Sequence, residues 1–249
     1  MLLRTAAELA ALRTRPRRLL CVFPHPDDES YGPAGTLARA GFADDAAAVY
    51  LCLTRGEASA MGPQRGLTPD EVAALREERL LGVADALALN GLVIADLPDG
   101  GMAARSLDEL AAPIAAVLDA FAPQVVIGHD ARGVNAHPDH IASHWALRFA
   151  LRGRPPVRFA MMAYPPEVVE AVKPRLLFAT PEERIDAVVH LTPREIEAKE
   201  RCLRLHEAFV TVKEDGPEGL LRRPPIERYA FFDGRPAAPV DDLFAGLAC

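Results

Sequence analysis

Cysteine is scarce and unpatterned in this chain. Its 249 residues hold four, Cys21, Cys52, Cys202 and Cys249, and no two form a CxxC pair. Two of them sit inside apolar, strand-like runs, so buried free thiols in a reducing, cytoplasmic compartment are expected rather than a disulfide framework. A basic balance is also missing, because 28 Lys and Arg face 35 Asp and Glu for a net charge of −7. No block of like charges stands out, so the basic face that nucleic-acid binding requires is absent and no nucleic-acid partner is expected. No apolar run approaches the roughly 20 residues of a membrane span, which argues against a membrane protein. The basic start and apolar middle of a signal peptide are lacking too. Met1 to Arg18 is apolar at helical spacing but broken by Arg4 and Arg13, and its arginines cluster at the end. It reads as a surface helix leading into the first strand, with a transit peptide as the alternative. Internal repeats and low-complexity linkers are absent, and no domain boundary is visible before about residue 155.

What the chain does have is apolar residues and regular alternation. Half of its residues are hydrophobic, enough for a sizeable core in one large domain. Buried strands are expected at 18–23, 47–54, 92–97 and 124–128, then at 157–164 and 185–191, with an aromatic candidate at 228–232. Helical patterns lie between them, at 33–41, from Thr68 to about Leu89, from Ser106 to Pro123, and at 137–151. Another runs from Thr192 to about Phe209. Thr68–Glu71, Ser106–Glu109 and Thr192–Glu195 each have the S/T-x-x-E form of a capping box. Strands separated by helices imply βαβ units and a mostly parallel sheet. The expected fold is therefore α/β and Rossmann-like, a single domain over 1–249. Residues 1–155 would form the core, and 156–249 a smaller C-terminal α/β extension.

Two polar clusters arrive where strands end. The first, Pro24-His25-Pro26-Asp27-Asp28-Glu29, follows the run Arg18–Phe23. Proline cannot donate to a strand ladder and pushes the residue before it towards extended geometry. An imidazole and three carboxylates are thus held on a stiff turn at the sheet edge where ligands bind in open α/β folds. The second, Ala136-His137-Pro138-Asp139-His140, begins a helix. Pro138 suits its first position, which makes His137 the N-cap and sets Asp139 and His140 in the first turn. There the helix dipole favours the Asp139 charge and keeps His140 neutral, able to bind a metal. One His and one carboxylate from the first cluster, with one or two His from the second, is the donor set of catalytic zinc with an exchangeable water. Blander readings stand beside this. His137 and Asp139 would serve equally as helix caps. His129, Asp130 and His144 are ambiguous, with a packed core histidine favoured for His144. Arg55 and Glu57 could form a surface pair, although the end of the second strand places Arg55 towards substrate. Asp99 is either a turn former or a substrate contact, and His206 reads as structural.

Taken together, His25-Pro26-Asp27-Asp28-Glu29 and His137-Pro138-Asp139-His140 resemble the LmbE-like, or PIG-L, family of zinc-dependent de-N-acetylases. Thr54-Arg55-Gly56-Glu57 and Asp99-Gly100 extend the resemblance, and Lys199 with His206 adds a weaker match. The resemblance implies that His25, Asp28 and His140 hold Zn2+, or another divalent metal such as Fe2+. Asp27 would be the general base and His137 the oxyanion stabiliser, with Asp139 orienting or charging His137. Arg55 and Asp99 would contact a small-molecule N-acyl amino-sugar substrate. The implied reaction is removal of an N-acetyl group from an N-acetylglucosaminyl conjugate, as in mycothiol and bacillithiol biosynthesis. The alternative is an amidase acting on a thiol-conjugate or antibiotic acyl amide. Some family members have a tyrosine two residues before the first His of the second motif, where this chain has Asn135; Tyr164 is a candidate replacement. A non-catalytic nucleotide-binding protein is disfavoured, because carboxylates stand where a pyrophosphate binder has glycines. The oligomeric state, a homo-oligomer included, is left open.

Overall fold

The structure, a computed structural model, describes residues 5–171, 176–206 and 225–247. In chain order it runs α1 (Ala6–Ala11), β1 (Arg17–Phe23), α2 (Asp28–Tyr31), α3 (Ala34–Phe42) and β2 (Ala46–Thr54). Next come α4 (Met61–Arg65), α5 (Pro69–Ala86), β3 (Gly91–Leu97), α6 (Leu107–Phe121) and β4 (Val125–Gly128). The turn α7 (Gly133–Ala136) precedes α8 (Pro138–Leu151), β5 (Arg158–Met162) and α9 (Pro166–Ala171). Last are β6 (Ala187–His190), α10 (Pro193–Leu205) and β7 (Ile226–Phe231). Cys249, the expected end of the last helix near Phe209 and residues 213–224 lie outside the described residues.

The seven strands of the described residues join one sheet in the order β3-β2-β1-β4-β5-β7-β6. β3 to β5 are parallel to their neighbours through β1, and β7 is antiparallel to both β5 and β6. The expected α/β fold with a mostly parallel sheet is what the chain adopts. The C-terminal part continues the core sheet, and its last strand enters between the two before it.

β1 is buried along Leu19–Phe23 because helices cover both of its faces. Leu19, Cys21 and Phe23 pack with residues of α3, α5 and α10, while Leu20 and Val22 pack with α1, α6 and α8. Each such side chain contributes about 1.5–3 kcal/mol on removal from water. The three expected capping boxes all form, and a fourth, Thr5 with Glu8, starts α1. Strand order reverses at β1, since β2 lies on one side of it and β4 on the other. The crevice at the carboxyl ends of β1 and β4 is where such sheets bind ligands. Both polar clusters open into it. Among the described residues no helix is long and apolar enough to cross a membrane, and Cys21, Cys52 and Cys202 are buried and unpaired.

Candidate active site

The turn after β1 is fastened from several sides. Thr54, at the end of β2, donates both its N–H and its hydroxyl to the Pro24 carbonyl, at 2.9 and 2.8 Å. The Tyr50 hydroxyl donates to the His25 carbonyl. Arg76, buried on α5, donates to the carbonyls of Gly56 and Pro26 and to Asp27 Oδ2, the last at 2.9 Å. Gly56 permits this approach. Its φ is +73°, and a Cβ there would lie 2.6 Å from Arg76 Nη1.

On this fastened turn the metal-type donors converge. His25 Nδ1 lies 3.2 Å from His140 Nε2 and 3.4 Å from Asp28 Oδ2, and His140 Nε2 lies 3.3 Å from Asp28 Oδ1. The remaining ring nitrogens are already engaged. His140 Nδ1 lies 3.1 Å from the Gly133 carbonyl, an acceptor, so that nitrogen carries the hydrogen and Nε2 keeps its lone pair. His25 Nε2 faces Asp99 Oδ1 at 3.2 Å and Asp139 Oδ2 at 3.4 Å, which leaves Nδ1 as the lone-pair atom. Two imidazole lone pairs and a carboxylate this close repel one another unless a cation or proton lies between them, and the donor atoms of His25, His137 and His140, like those of Asp28, His129 and His140, lie within 4.8 Å of one another. Bonds of about 2.0–2.1 Å to a tetrahedral metal separate its ligands by roughly 3.3 Å, the spacing seen here. The residues present thus fit a divalent metal, with carboxylates behind His25 as outer-shell partners.

His129, at the end of β4, belongs to the same cluster. It stacks on His140 with ring centroids 4.0 Å apart, its Nε2 is 3.5 Å from Asp28 Oδ2, and neither of its ring nitrogens has a hydrogen-bond partner among the described residues. An orphaned imidazole beside three metal-type donors is a further sign that a cation completes the site. In the sequence His129 is ambiguous; its place directly after a strand on the active edge is the signal that singles it out. His144 does behave as a packed histidine, with Nδ1 2.9 Å from the His129 carbonyl.

Charge and burial divide the two neighbouring aspartates. Burial acts to raise the Asp28 pKa, but His140 and His129 outweigh it and hold the carboxyl well below its ordinary range. Burial raises Asp27 above its ordinary value in spite of Arg76. Burial would lower His25, yet hydrogen bonds to Asp139, Asp28 and Asp99 carry it up to about 12. The protonated form marks the place a cation would take. Burial, with His140 next, pushes His129 down to about 4. Burial and the neighbouring His25 and His140 also lower His137.

The other expected site residues are placed as follows. His137 caps α8, its Nδ1 accepting the Asp139 N–H at 3.2 Å, and its ring packs on those of His25 and His140. Asp139 was expected to serve His137. Its carboxylate instead reaches His25 and accepts the N–H groups of Gly100 (2.6 Å) and Met102 (3.1 Å). The N–H groups of the turn after β3 hold the Asp139 carboxylate, while its own N–H is the one the His137 ring accepts. Asp99 supports His25 in the same way, and its Oδ2 accepts the Ala58 N–H. Arg55 is set apart from the cluster, paired at 3.5 Å with Glu77 on α5. Thr54 and Glu57 instead scaffold the turns; Glu57 Oε1 accepts the Asp99 N–H. Arg76 was not identified from the sequence, because one arginine in a charged helix carries no local signal.

A cleft of about 700 Å³ opens over these groups, a volume in the usual range for small-molecule sites. Asp27, Asp28, Arg76, Asp99, His137 and His140 line it, together with Tyr31, Asn135 and Tyr164.

The profile of the family described as PIG-L, GlcNAc-PI de-N-acetylase, matches residues 20–151. The 1D-myo-inositol 2-acetamido-2-deoxy-alpha-D-glucopyranoside deacetylase of Actinosynnema mirum is 32% identical, over 94% of this chain and 98% of its own. Among solved structures, the conserved protein TT1542 of Thermus thermophilus superposes with a TM-score of 0.62 at 25% identity, covering 86% of this chain and 94% of its own. GalB, the 4-carboxy-2-hydroxymuconate hydratase of Pseudomonas putida, superposes equally well, with a TM-score of 0.62 at 17% identity, covering 88% and 98%. The fold therefore serves hydration as well as deacetylation, and the reaction has to be argued from the site.

Proposed function

The chain belongs to the PIG-L, or GlcNAc-PI de-N-acetylase, family, and from that premise we propose that it hydrolyses the acetamide of an N-acetylglucosaminyl conjugate, using zinc. Water and the amide give a free amine and acetate. The observation that carries the reading is the convergence of His25 Nδ1, Asp28 and His140 Nε2 at 3.2–3.4 Å, with Asp27 beside them on the cleft wall. These three residues would hold the zinc, and His129 Nε2 is near enough to Asp28 to join or steady the set. When bound, zinc supplies Lewis acidity to a water and to the amide carbonyl.

The protein's own groups do the rest. Asp27 takes a proton from the attacking water. Arg76 occupies its Oδ2, so Oδ1 is the oxygen left for this task. Burial raises its pKa, which brings it nearer the working pH and suits it to return the proton to the departing nitrogen. His137 has its Nδ1 committed to the Asp139 N–H, so a neutral ring carries its proton on Nε2. That N–H is the donor for the oxygen that gains charge as the amide carbon becomes tetrahedral. Asp99 and Asp139 keep His25 in the tautomer that offers Nδ1. Tyr164 lines the same cleft and supplies a phenol that Asn135 cannot. The unpaired buried thiols suit a cytoplasmic enzyme.

The substrate class follows the Actinosynnema mirum relative, whose name specifies a 2-acetamido glucopyranoside joined to inositol. Incubating the zinc-loaded protein with N-acetylglucosaminyl inositol, N-acetylglucosaminyl malate and chito-oligosaccharides, and measuring released amine, tests it. Elemental analysis should find one divalent metal per chain. Asp27→Ala should retain that metal and lose hydrolysis by about 10²–10⁴-fold, the worth of a positioned acid-base. A protein that binds no metal, or an Asp27→Ala variant that stays active, would overturn the reading.

A further inference from the structure

Glu29 shares a motif with Asp27 and Asp28 yet touches neither the cleft nor the converging donors. It is fully buried, and both of its oxygens are occupied. Oε2 accepts the Asp27 N–H at 3.0 Å, while Oε1 accepts the Ser30 hydroxyl at 2.5 Å and lies 2.7 Å from His206 Nε2. His206 is itself buried, at the end of α10, and its carbonyl accepts from Arg79 on α5.

The residue receiving this support has an uncommon backbone. Asp27 has φ 141° and ψ −24°, a region that residues with a Cβ seldom occupy and that persists only where the surroundings impose it. That conformation sends the two adjacent aspartates different ways: Asp28 towards His140 and His129, Asp27 towards Arg76. The Asp27 carbonyl is held separately, by the N–H groups of Ser30 and Tyr31. The peptide plane entering Asp27 carries the Pro26 carbonyl on one side and the Asp27 N–H on the other, and both are held. Arg76 takes the carbonyl and Glu29 takes the N–H.

We infer that Glu29, anchored by His206, is a positioning residue that holds Asp27 in its left-handed backbone conformation and so aims the base. This rests on Asp27 acting as the base in the proposed hydrolysis, but the contact itself can be read without turnover. Glu29→Leu keeps the bulk and removes the acceptor, Glu29→Gln keeps one acceptor, and the pair His206→Leu and His206→Gln varies the anchor. With zinc-loaded full-length protein, Glu29→Leu should lower kcat by about 100-fold, the effect of misplacing a reacting group by an ångström. KM should stay within about twofold, and the metal content unchanged, because substrate and ligand contacts are intact. Glu29→Gln should stay within about tenfold of the parent, the scale of one neutral hydrogen bond. His206→Leu should lose more than His206→Gln.

The amide hydrogen of Asp27, followed by NMR exchange, should be protected in the parent. It should exchange about 100-fold faster in Glu29→Leu, with the amides of β1 unaffected, as expected of a local opening. Parental kcat in Glu29→Leu, loss of metal along with activity, or an unchanged Asp27 exchange rate would each overturn the inference. Should Glu29→Leu fail to fold, Glu29→Gln and the two His206 variants are judged by the same exchange and kcat criteria. If the parent itself hydrolyses no amide, the proposed function falls and the exchange experiment still decides the contact.

Discussion

Replacing Arg76 with methionine keeps most of the side-chain bulk and removes the guanidinium that touches Asp27. The pair is close, 2.9 Å, and the two side chains are 10% and 26% exposed. Arg76 lowers the Asp27 pKa against the larger, opposite effect of burial, so its loss leaves burial unopposed by that charge. An arginine in contact holds a carboxyl down by about one to three pH units. Water reaches Asp27 partially, which favours the lower part of that range. The sign follows from the role of the group. A general base works ionised, so activity disappears as pH falls through its pKa, and a higher pKa moves that loss to higher pH. The acid limb of the pH–kcat profile of Arg76→Met should move up accordingly. Well below the limb the variant should be about 10-fold or more slower than the parent, and the gap should close above it. Stability carries the same signature. A carboxyl whose folded pKa is raised is uncharged and harmless at low pH but must ionise in a buried place as pH rises, so the deficit in Tm should widen with pH. Amine-release assays between pH 5 and 9 on zinc-loaded protein, with thermal melts in the same buffers, measure both. An acid limb that stays in place while kcat drops by one factor at every pH would refute the coupling of Arg76 to the base.

Other perturbations test separate contacts. His137→Ala should cut kcat by about 10²–10³-fold with KM little changed, the cost of one oxyanion donor; a KM effect alone would make His137 a substrate binder. Asp139→Asn removes a carboxylate behind His25 and should weaken metal binding by about 10–100-fold in competition with a chelator; unchanged affinity would detach Asp139 from the metal. Gly56→Ala places a Cβ at a φ of +73° and 2.6 Å from Arg76 Nη1, so it should cost about 1–3 kcal/mol in a denaturant melt and displace the acid limb in the direction of Arg76→Met. Arg55→Ala should leave kcat/KM within about twofold, because an exposed ion pair is worth at most about 1 kcal/mol; a large loss would return Arg55 to the substrate.

Much of the site could be read in the sequence because its information is local. The prolines of Pro24-His25-Pro26 stop the ladder within the motif itself, and Pro138 starts α8 one residue after His137. A capping box depends on four consecutive residues, so Thr68–Glu71, Ser106–Glu109 and Thr192–Glu195 form as expected. Strands whose two faces are both buried, such as β1, β2 and β4, leave continuous apolar runs, and apolar runs place β1 to β5 to within a few residues.

The rest depends on which elements meet, and local sequence does not contain that. Arg76 becomes the partner of Asp27 only because α5 packs under the turn after β1. Asp139 turns to His25 instead of His137 because the β3 loop presents the N–H groups of Gly100 and Met102 to it. β7 lies between β5 and β6, antiparallel to both, a placement made by strand pairing and not by local pattern. Glu29 carries the same chemistry as its two neighbours. A strained φ at Asp27 and a histidine at the far end of α10, 177 residues away in the chain, remove it from the cleft and make it a support. The kinds of donor and their order on the sheet edge are written along the chain itself. Which carboxylate turns to the histidine donors, which to Arg76 and which holds the backbone is settled only on folding, because those assignments are made by contacts between distant segments.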